Sequence, residues 1–322
     1  MKILITGGAG FVGSNLAERL LADGHRVTVF DDLSAGKLEF LRECRASDRF
    51  CFVHGDLLVP DEIRQAVRGQ DVVFHLAANS DIEKGRRESD RDLRLGTLAT
   101  FNTLDAMRDA GVKQLVFSSS SVVYGEPKQI PTPEDYGPLL PISLYGASKL
   151  ACEGLISAFA HNYGIQSWIF RFANICGRHG THGAIVDFIN KLRATPRRLE
   201  VLGDGKQAKP NLHVSECVDG MIHGWQHARD EVNYFNLGCE GATPTDDIAR
   251  YVIAALGLHD VDVVHTGGAR GWPGDVPQVR LDVTKMERLG WRAKMTSNEA
   301  VERACRELAA ELAPESAPGS SQ

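Results

Sequence analysis

Tyr145 and Lys149 stand four residues apart in a segment that has the pattern of a helix. Residues at this spacing share one face of a helix, so the Lys149 ammonium group is expected beside the Tyr145 phenol. A neighbouring positive charge favours the phenolate and lowers the pKa of a tyrosine. A phenol whose pKa is near neutral can exchange a proton with an alcohol or a sugar hydroxyl. The spacing alone is common in proteins, so its chemistry depends on what accompanies it.

The chain also contains a glycine-rich turn near the N-terminus. Gly7, Gly10 and Gly13 follow the first predicted strand and open the first predicted helix, with Phe11 and Val12 between the last two glycines. Glycines permit a tight turn and a close backbone approach, and the helix N-terminus attracts a pyrophosphate. The alternative is a purely structural turn. The pattern predicts a dinucleotide-binding site.

Acidic residues after the next two strands indicate which dinucleotide binds. Asp31 and Asp32 close the second predicted strand, where a carboxylate can accept hydrogen bonds from an adenosine ribose. A carboxylate there repels a 2′-phosphate, so the sequence favours NAD over NADP. Asp56 follows the third strand and is expected to meet the adenine edge, the alternative being an ordinary turn residue.

Composition excludes several classes of protein. The chain has 322 residues, 43% hydrophobic and 24% charged, with a net charge of −6, which gives no basic surface for nucleic acid. Apolar runs are only strand-sized, and Lys2 begins a strand directly, so neither a membrane span nor a signal peptide is expected. Seven scattered cysteines without C-x-x-C spacing predict neither a metal site nor a disulfide framework, which favours a reduced, cytoplasmic protein.

Alternating strand and helix patterns predict an α/β fold with a doubly wound parallel sheet. We expect a nucleotide-binding domain over 1–174, a smaller α/β lobe over 175–312 with chain crossings between the two, and a disordered tail over 313–322. The predicted strands are 2–6, 26–30, 49–54, 71–77, 113–119, 168–173, 199–202 and 234–237. The predicted helices are 11–23, 61–68, 91–110, 145–163, 184–194, 215–228, 245–256 and 297–312.

The glycine turn together with Tyr145 and Lys149 resembles the extended short-chain dehydrogenase/reductase family. The resemblance covers about residues 1–312 and includes the stretches Gly55-Asp-Leu57, His75-Leu-Ala-Ala78, Ser118-Ser-Ser-Ser-Val-Val-Tyr-Gly125, Arg171-Phe-Ala-Asn174 and Gly203-Asp-Gly205. A finer likeness to UDP-glucose 4-epimerases lies in 143–153 and 270–277. The family implies a Rossmann domain, bound NAD and a nucleotide-sugar substrate.

The resemblance also implies roles for individual residues. Tyr145 would exchange a proton at the sugar C4 hydroxyl, Lys149 would tune it, and Ser120 would bind the reacting oxygen, with a register uncertain by one among the serines. Ser121 is expected at the substrate, and Arg171 is expected to be structural. The implied cofactor-binding residues are Gly7, Gly10, Phe11, Val12, Asp31, Asp32, Asp56, Leu57, Leu76, Ala77, Ala78, Ser118, Tyr145 and Lys149.

Several positions bear on the substrate. Asn174 matches the family's pyrophosphate ligand. Lys209 stands where the family usually has an arginine that grips a phosphate, Trp272 stands where it has a second one, and Arg270 is the nearest candidate to replace the second. Asp275 is also expected at the substrate. Leu95 and Gly96 replace a usual Asn-Asn pair. These departures leave the sugar and the base open.

The reaction type follows from two positions after the catalytic serine. Sugar 4,6-dehydratases of the family need an Asp-Glu pair there, whereas this chain has Ser121 and Val122. A 4-epimerase of the UDP-glucose/UDP-galactose type is therefore the leading hypothesis. The alternatives are a UDP-glucuronate 4-epimerase or decarboxylase, a UDP-N-acetylhexosamine 4-epimerase, and a non-catalytic NAD-sensing protein.

Other residues carry weaker signals. His179 and His182 have a metal-like spacing, but a loop lining the sugar pocket is favoured. Lys84, Arg86 and Arg87 read as a solvated basic loop that could reach an acidic sugar. Apolar positions at helical spacing, Phe101, Met107 and Phe159, are interpreted as core or dimer packing, and the resemblance implies a homodimer through helices 91–110 and 145–163.

Overall fold

A computed structural model of the chain describes residues 1–79, 82–268 and 280–313. Its centre is a sheet of seven parallel strands, in the order β11-β6-β5-β4-β1-β2-β3. These strands are β1 Lys2–Thr6, β2 Arg26–Asp31, β3 Phe50–His54, β4 Val72–His75, β5 Gln114–Ser120, β6 Gln166–Phe172 and β11 Val232–Leu237. The doubly wound parallel sheet predicted from the sequence is confirmed.

The order of the strands reverses at β1. From β1 the chain winds outward to β2 and β3, and it then returns to the other side of β1 to add β4, β5 and β6. Two strands leaving one position in opposite directions open a crevice between their connections, which is where ligands bind in such sheets. The carboxyl ends of β1, β2, β4 and β5 all face this crevice, because the four strands are parallel.

Helices cover both faces of the sheet because its strands are apolar on both sides. One buried layer packs Leu16 and Leu20 against Trp168 and Phe170, and the opposite layer packs Leu104 against Phe117. The helices are α1 Phe11–Ala22, α2 Pro60–Val67, α3 Ile82–Arg87, α4 Ala99–Ala110, α5 Leu144–Tyr163, α6 Ala184–Ala194, α7 Val214–His227, α8 Thr245–Ala255, α9 Thr284–Arg288 and α10 Ser297–Glu311.

A smaller lobe lies beyond β6 and has its own core. Helices α6, α8 and α10 bury Phe188, Val252 and Val301 together. Three two-stranded sheets accompany these helices: β7 with β10, β9 with β12, and β8 with β13. The strands are β7 Asn174–Cys176, β8 Arg198–Val201, β9 Ala208–Lys209, β10 Asn211–His213, β12 Thr243–Pro244 and β13 Asp262–His265. This lobe closes the crevice at the carboxyl ends of the strands.

The chain crosses back to the main sheet after entering the lobe. Helix α7 buries Met221 and Trp225 on the α1 face of the sheet, and β11 pairs in parallel with β6 from Val232↔Ser167 to Leu237↔Phe172. The outermost strand on this side therefore comes from the second half of the sequence.

Some sequence-based predictions of local structure were wrong. The basic residues Lys84, Arg86 and Arg87 belong to helix α3 rather than to a loop. The single helix predicted over 91–110 is a π-helix at Leu93–Leu98 followed by α4, and π-helical turns often occur near functional sites. The short strands β7, β9, β10, β12 and β13 and the helix α9 were not predicted, since segments of two to five residues carry too few positions to show a period.

Candidate active site

The glycine turn between β1 and α1 has the close backbone approach that its sequence predicts. Gly7 has a φ of +68°, and a Cβ atom there would lie 2.6 Å from the Ala77 backbone nitrogen. A Cβ atom at Gly13 would collide with the carbonyl oxygen of Gly7. Side chains are therefore excluded at Gly7 and Gly13, and the N-terminus of α1 opens onto the crevice.

Asp31 stands at the carboxyl end of β2 and is buried. Its Oδ2 accepts a hydrogen bond from the Ala9 backbone at 2.9 Å, and its Oδ1 accepts one from the Leu33 backbone at 2.9 Å. Burial raises the pKa of Asp31, while these two hydrogen bonds act in the opposite direction. The carboxylate is thus held rigidly beside the glycine turn, where it can also accept from a ribose hydroxyl.

All fourteen positions predicted for the cofactor line one cavity of about 380 Å³ in this crevice. They come from the glycine turn and from the ends of β2, β3, β4 and β5 and the start of α5. They are Gly7, Gly10, Phe11, Val12, Asp31, Asp32, Asp56, Leu57, Leu76, Ala77, Ala78, Ser118, Tyr145 and Lys149. An elongated crevice with a glycine cradle and a buried carboxylate fits a dinucleotide such as NAD.

The three predicted catalytic residues meet at one end of this cavity. Lys149 Nζ donates a hydrogen bond to the Ser118 carbonyl oxygen at 2.6 Å and lies 5.8 Å from the centre of the Tyr145 ring. Ser120 lies at the end of β5 and lines the same cavity as Tyr145. Strand β5 and helix α5 therefore place a hydroxyl, a phenol and an ammonium group around one point.

The expected lowering of the Tyr145 pKa by Lys149 is absent in this structure. Burial raises the pKa of Tyr145 to about 12, the charge of Asp92 raises it further, and the hydrogen bond with Ser120 lowers it. Burial lowers the pKa of Lys149 to about 8. Desolvation disfavours the charged forms of both Tyr145 and Lys149.

The four serines at the end of β5 have different surroundings. The Ser119 hydroxyl donates to Glu153 Oε1 at 2.5 Å, beneath the site. Ser121 begins a 3₁₀ turn and lines neither cavity in the described part of the chain. Ser118, Ser119 and Ser120 line the first cavity together with Tyr145, and the catalytic role of Ser120 stays a prediction.

A buried ion pair supports the end of β5. Arg171 Nη2 lies 2.7 Å from Glu153 Oε2, and Arg171 Nε donates to Glu153 Oε1 at 3.0 Å. Arg171 Nη1 also donates to the Tyr124 hydroxyl at 2.9 Å. Both charged side chains are almost fully buried, so this bidentate ion pair holds the surrounding elements rigidly. Its position beneath the serines agrees with the structural role expected for Arg171.

A second cavity of about 870 Å³ continues from the first one into the smaller lobe. Asn174 and Leu95 line both cavities, and Lys209 lines the second. His182 and Thr181 from the loop before α6 also face both cavities. The size and position of this cavity suit a ligand that reaches from the Tyr145 end toward the lobe.

The remaining predicted residues are placed as follows. Arg270, Trp272 and Asp275 lie outside the described residues, as does most of the 313–322 tail. His179 is buried against Ser14 and Phe40 rather than facing either cavity, with Nδ1 2.8 Å from the Ser14 hydroxyl.

Met107 and Phe159 belong to the core, whereas Phe101 is 41% exposed.

Sequence reasoning missed several residues around the second cavity. Asn79, Arg91 and Asp92 form a polar layer, in which Asn79 Nδ2 donates to Asp92 Oδ1 at 2.9 Å and Arg91 Nε donates to Asn79 Oδ1 at 3.3 Å. Asn79 and Arg91 line the cavity. The available signal was the position of Asn79 directly after the fourth strand, where ligands meet a parallel sheet.

The comparisons with known proteins agree with this geometry. Residues 3–238 match the model of the NAD dependent epimerase/dehydratase family. The chain is 33% identical over 308 residues to a UDP-glucose 4-epimerase of Mycolicibacterium smegmatis, covering 94% of this chain and 96% of that protein. The chain therefore belongs to the NAD-dependent epimerase/dehydratase family, and its cofactor is NAD.

Two solved structures show how far the fold extends. The crystal structure of a UDP-galactose 4-epimerase superimposes with a TM-score of 0.86 at 38% identity, covering 97% of this chain and all of that one. A double mutant of a dTDP-glucose 4,6-dehydratase from Streptomyces venezuelae, solved with NAD bound, gives a TM-score of 0.87 at 27% identity, covering 96% and 97%. Epimerases and dehydratases thus share this fold.

Proposed function

We propose that the protein is a NAD-dependent sugar-nucleotide 4-epimerase of the UDP-glucose/UDP-galactose type. The observation that carries the proposal is that Ser120, Tyr145 and Lys149 line the first cavity, which adjoins the second through shared lining residues such as Ala78, Leu95 and Asn174. The first cavity has the glycine cradle for NAD, and the second extends from the shared residues toward Lys209. A sugar ring in the first cavity with its C4 hydroxyl beside Tyr145 would direct its diphosphate into the second cavity, toward the lobe.

Bound NAD supplies the acceptor for a hydride from the sugar C4 and returns it. The protein must meanwhile remove and restore the proton of the C4 hydroxyl, which is the role of Tyr145. Ser120 would bind the same oxygen and keep it aligned, and Lys149 would stabilise the phenolate by its charge. Asn174 and Lys209 would contact the diphosphate, with Lys209 acting as a point charge.

The acidic residues around the cavities favour epimerisation over dehydration. Within the described part of the chain, the carboxylates that line the two cavities are Asp31, Asp32, Asp56 and Asp187. The first three are at the predicted cofactor end, and Asp187 is paired with Lys191 at 2.8 Å. Val122, which lines the first cavity beside Ser120, offers no proton for elimination of water. The large second cavity leaves room for a 4-keto sugar to rotate, so that its opposite face can meet the cofactor.

A UDP-glucuronate 4-epimerase or decarboxylase is the second candidate. Lys84 from α3 and Arg91 before the π-helix both line the second cavity near Asn79. Cationic side chains at the sugar end of the cavity would suit a carboxylate on the sugar. Within the described residues, no comparable feature favours a UDP-N-acetylhexosamine 4-epimerase.

The deciding experiment is incubation of the purified protein with UDP-glucose, UDP-glucuronate, UDP-N-acetylglucosamine and dTDP-glucose, followed by NMR of the products. We expect UDP-galactose from UDP-glucose. A product of decarboxylation would favour the second candidate, and a 4-keto-6-deoxy product would contradict the epimerase proposal.

Replacement of Tyr145 by phenylalanine tests the catalytic assignment. Tyr145→Phe should lower kcat by about 10²- to 10⁴-fold, because the proton acceptor is lost while the ring still packs. NAD released from the denatured variant should equal that released from the parent protein. Tyr163→Phe, an exposed tyrosine at the end of the same helix, is the control and should keep full activity. Normal turnover by Tyr145→Phe would contradict the assignment.

We also propose a homodimer through α4 and α5. Phe101 on α4 is exposed, and it makes an edge-to-face contact with Phe159 on α5, with ring centres 6.1 Å apart. Tyr163 extends this aromatic surface at 5.0 Å from Phe159. Exposed aromatic groups in one patch favour association.

The seven cysteines are all unpaired and all lie in the described part of the chain. This supports a proposed location in a reducing compartment such as the cytoplasm. No helix within the described ranges is long and apolar enough to cross a membrane.

A further inference from the structure

Asp92 is a buried aspartate in contact with the catalytic helix α5. It directly precedes the π-helix, but its side chain makes no capping hydrogen bond there. Only 3% of the residue is exposed, and Oδ1 accepts a hydrogen bond from Asn79. Oδ2 is enclosed and has no hydrogen-bond partner among the residues that the structure describes. An aspartate just before a helix usually caps the helix N-terminus. Capping therefore does not explain the presence of Asp92 here.

Helix α3 encloses this carboxylate. A Cβ atom at Gly85 would collide with Asp92 Oδ2, so the absence of a side chain at residue 85 lets α3 close over the acid. Asp90, two residues earlier, is exposed and paired with Arg94 at 2.8 Å. Burying a carboxylate oxygen without a partner is unfavourable for stability, whereas the exposed Asp90 has no such penalty. A penalty of this kind is typical of functional sites.

Asp92 is also tied to the helix that carries the catalytic pair. The Ser148 hydroxyl donates to the Asp92 carbonyl oxygen at 2.7 Å, and Ser148 directly precedes Lys149. Gly96 leaves the space in which the Ser148 hydroxyl sits. The absence of side chains at Gly85 and Gly96 therefore leaves room for the Asp92 carboxyl group and for the Ser148 hydroxyl that donates to the Asp92 carbonyl oxygen.

The charge of Asp92 acts on both catalytic groups. It raises the pKa of Tyr145, in the same direction as burial. At Lys149, burial lowers the pKa, while Cys152, Glu153 and Asp92 raise it. Glu153 is already paired with Arg171, so much of its charge is balanced elsewhere.

The other titratable groups facing this region are few. His75 lies next to Lys149 and is held neutral by burial, with a pKa lowered to about 3. Arg91 is paired with Glu88 at 2.9 Å, and Lys84 on α3 lines the second cavity. Asp92 is thus a buried carboxyl group that contacts α5 through Ser148, next to Lys149, and that forms no ion pair in the described part of the chain.

We propose that Asp92 is a positioning residue of the epimerase: it holds a fixed negative charge beside Tyr145 and Lys149 and so sets the pH range of catalysis. The inference rests on the function proposed above, in which Tyr145 exchanges the proton. With Asp92 in place, Lys149 stays protonated to higher pH, and Tyr145 gives up its proton less readily.

Asp92→Asn tests this role because it removes the charge and keeps the acceptor for Asn79. Both limbs of the pH profile of kcat should move to lower pH by about 0.5 unit or more, since both groups lose an anion that favours their protonated forms. KM should change little. The melting temperature should be unchanged or higher, because an unpaired buried charge has been removed.

The matched control is Asp90→Asn, which removes the same charge from an exposed position two residues away. Its pH profile should coincide with that of the parent protein. An Asp92→Asn variant that is less stable but has an unshifted pH profile would show a merely structural role and overturn the proposal.

A second measurement does not depend on turnover. In protein with isotope-labelled lysine, the Lys149 Cε resonance can be assigned by its loss in Lys149→Met and followed against pH by NMR. The midpoint of this pH titration should lie at lower pH in Asp92→Asn than in the parent protein. An identical midpoint would refute the proposal. If the midpoint moves but no nucleotide sugar is turned over, the effect of Asp92 on Lys149 stands and the epimerase proposal fails.

Discussion

At the scale of single residues, the ammonium group of Lys149 is fixed by a backbone carbonyl and not by a carboxylate. Its Nζ donates to the Ser118 carbonyl, whereas the nearby Glu153 is bonded to Arg171 and Asp92 to Asn79. A carbonyl acceptor holds the ammonium group in place without neutralising it. The positive charge therefore remains effective toward a developing phenolate on Tyr145.

His75 gives a prediction about pH and stability. Its ring is fully buried at the end of β4, 2.6 Å from the Thr6 hydroxyl through Nδ1 and 2.9 Å from the Thr100 hydroxyl through Nε2. Burial, and then the charge of Lys149, lowers its pKa from 6.5 to about 3. The folded state therefore stays neutral at this residue where the unfolded chain takes up a proton. Stability should fall as the pH decreases from about 6.5 toward 3.

Urea unfolding between pH 7.5 and 4 measures this effect. His75→Gln can keep one hydrogen bond to each threonine, and it should show a smaller loss of unfolding free energy over this range than the parent protein. His227→Gln, at an exposed position on α7, should keep the parent's pH dependence. Equal pH dependence of the parent and His75→Gln would show that His75 does not contribute.

Residue identities in the cofactor cavity could be predicted from sequence because a backbone turn and a strand end impose them. Gly7 and Asp31 follow strands with continuous apolar patterns, so their positions at the sheet edge were determined locally. Asp92 could not be predicted in this way. It lies in a segment rich in charges, Arg86 to Arg94, which reads as solvated, and only the packing of α3 through Gly85 buries it.

At the scale of elements, the turn between β1 and α1 depends on its contact with the loop after β4. Gly7→Ala should cost about 1 to 3 kcal/mol from the left-handed backbone and more from the collision with Ala77. It should also weaken NAD binding, because the turn must shift away from the cradle geometry. Chemical denaturation and titration with NAD measure the two effects.

The chain offers a matched control for this prediction. Gly69 has a similar φ of +73°, but a Cβ atom there would meet nothing within 4 Å. Gly69→Ala should therefore show the backbone cost alone and leave NAD binding unchanged. Equal losses in the two variants would mean that the contact with Ala77 contributes nothing.

Long amphipathic and apolar segments made most of the fold predictable. The predicted helix 184–194 coincides with α6, and 145–163 differs from α5 by one residue. The π-helix could not be read from the apolar spacing, because its extra residue changes the backbone hydrogen bonds more than the pattern of side chains. Helix α3 was missed because its six residues are mostly charged.

At the scale of the whole molecule, the aromatic surface on α4 and α5 determines the expected state of assembly. Phe101→Glu should convert the proposed homodimer to a monomer, since a carboxylate would be buried against its symmetry mate. Sedimentation velocity measures the change. Leu140→Glu, at an exposed leucine in the loop before α5, is the control and should leave the assembly unchanged. A parent protein that sediments as a monomer would contradict the proposed dimer.

The placement of β11 has a consequence for synthesis of the protein. Until residue 237 has left the ribosome, β6 presents an open edge of unpaired backbone groups along Gln166–Phe172. The seven-stranded sheet is therefore complete only after more than sixty further residues, including the helices α6 and α7, have been synthesised. During that interval the exposed edge is the part of the chain most prone to pair with another copy, so the order of translation places a period of vulnerability at β6.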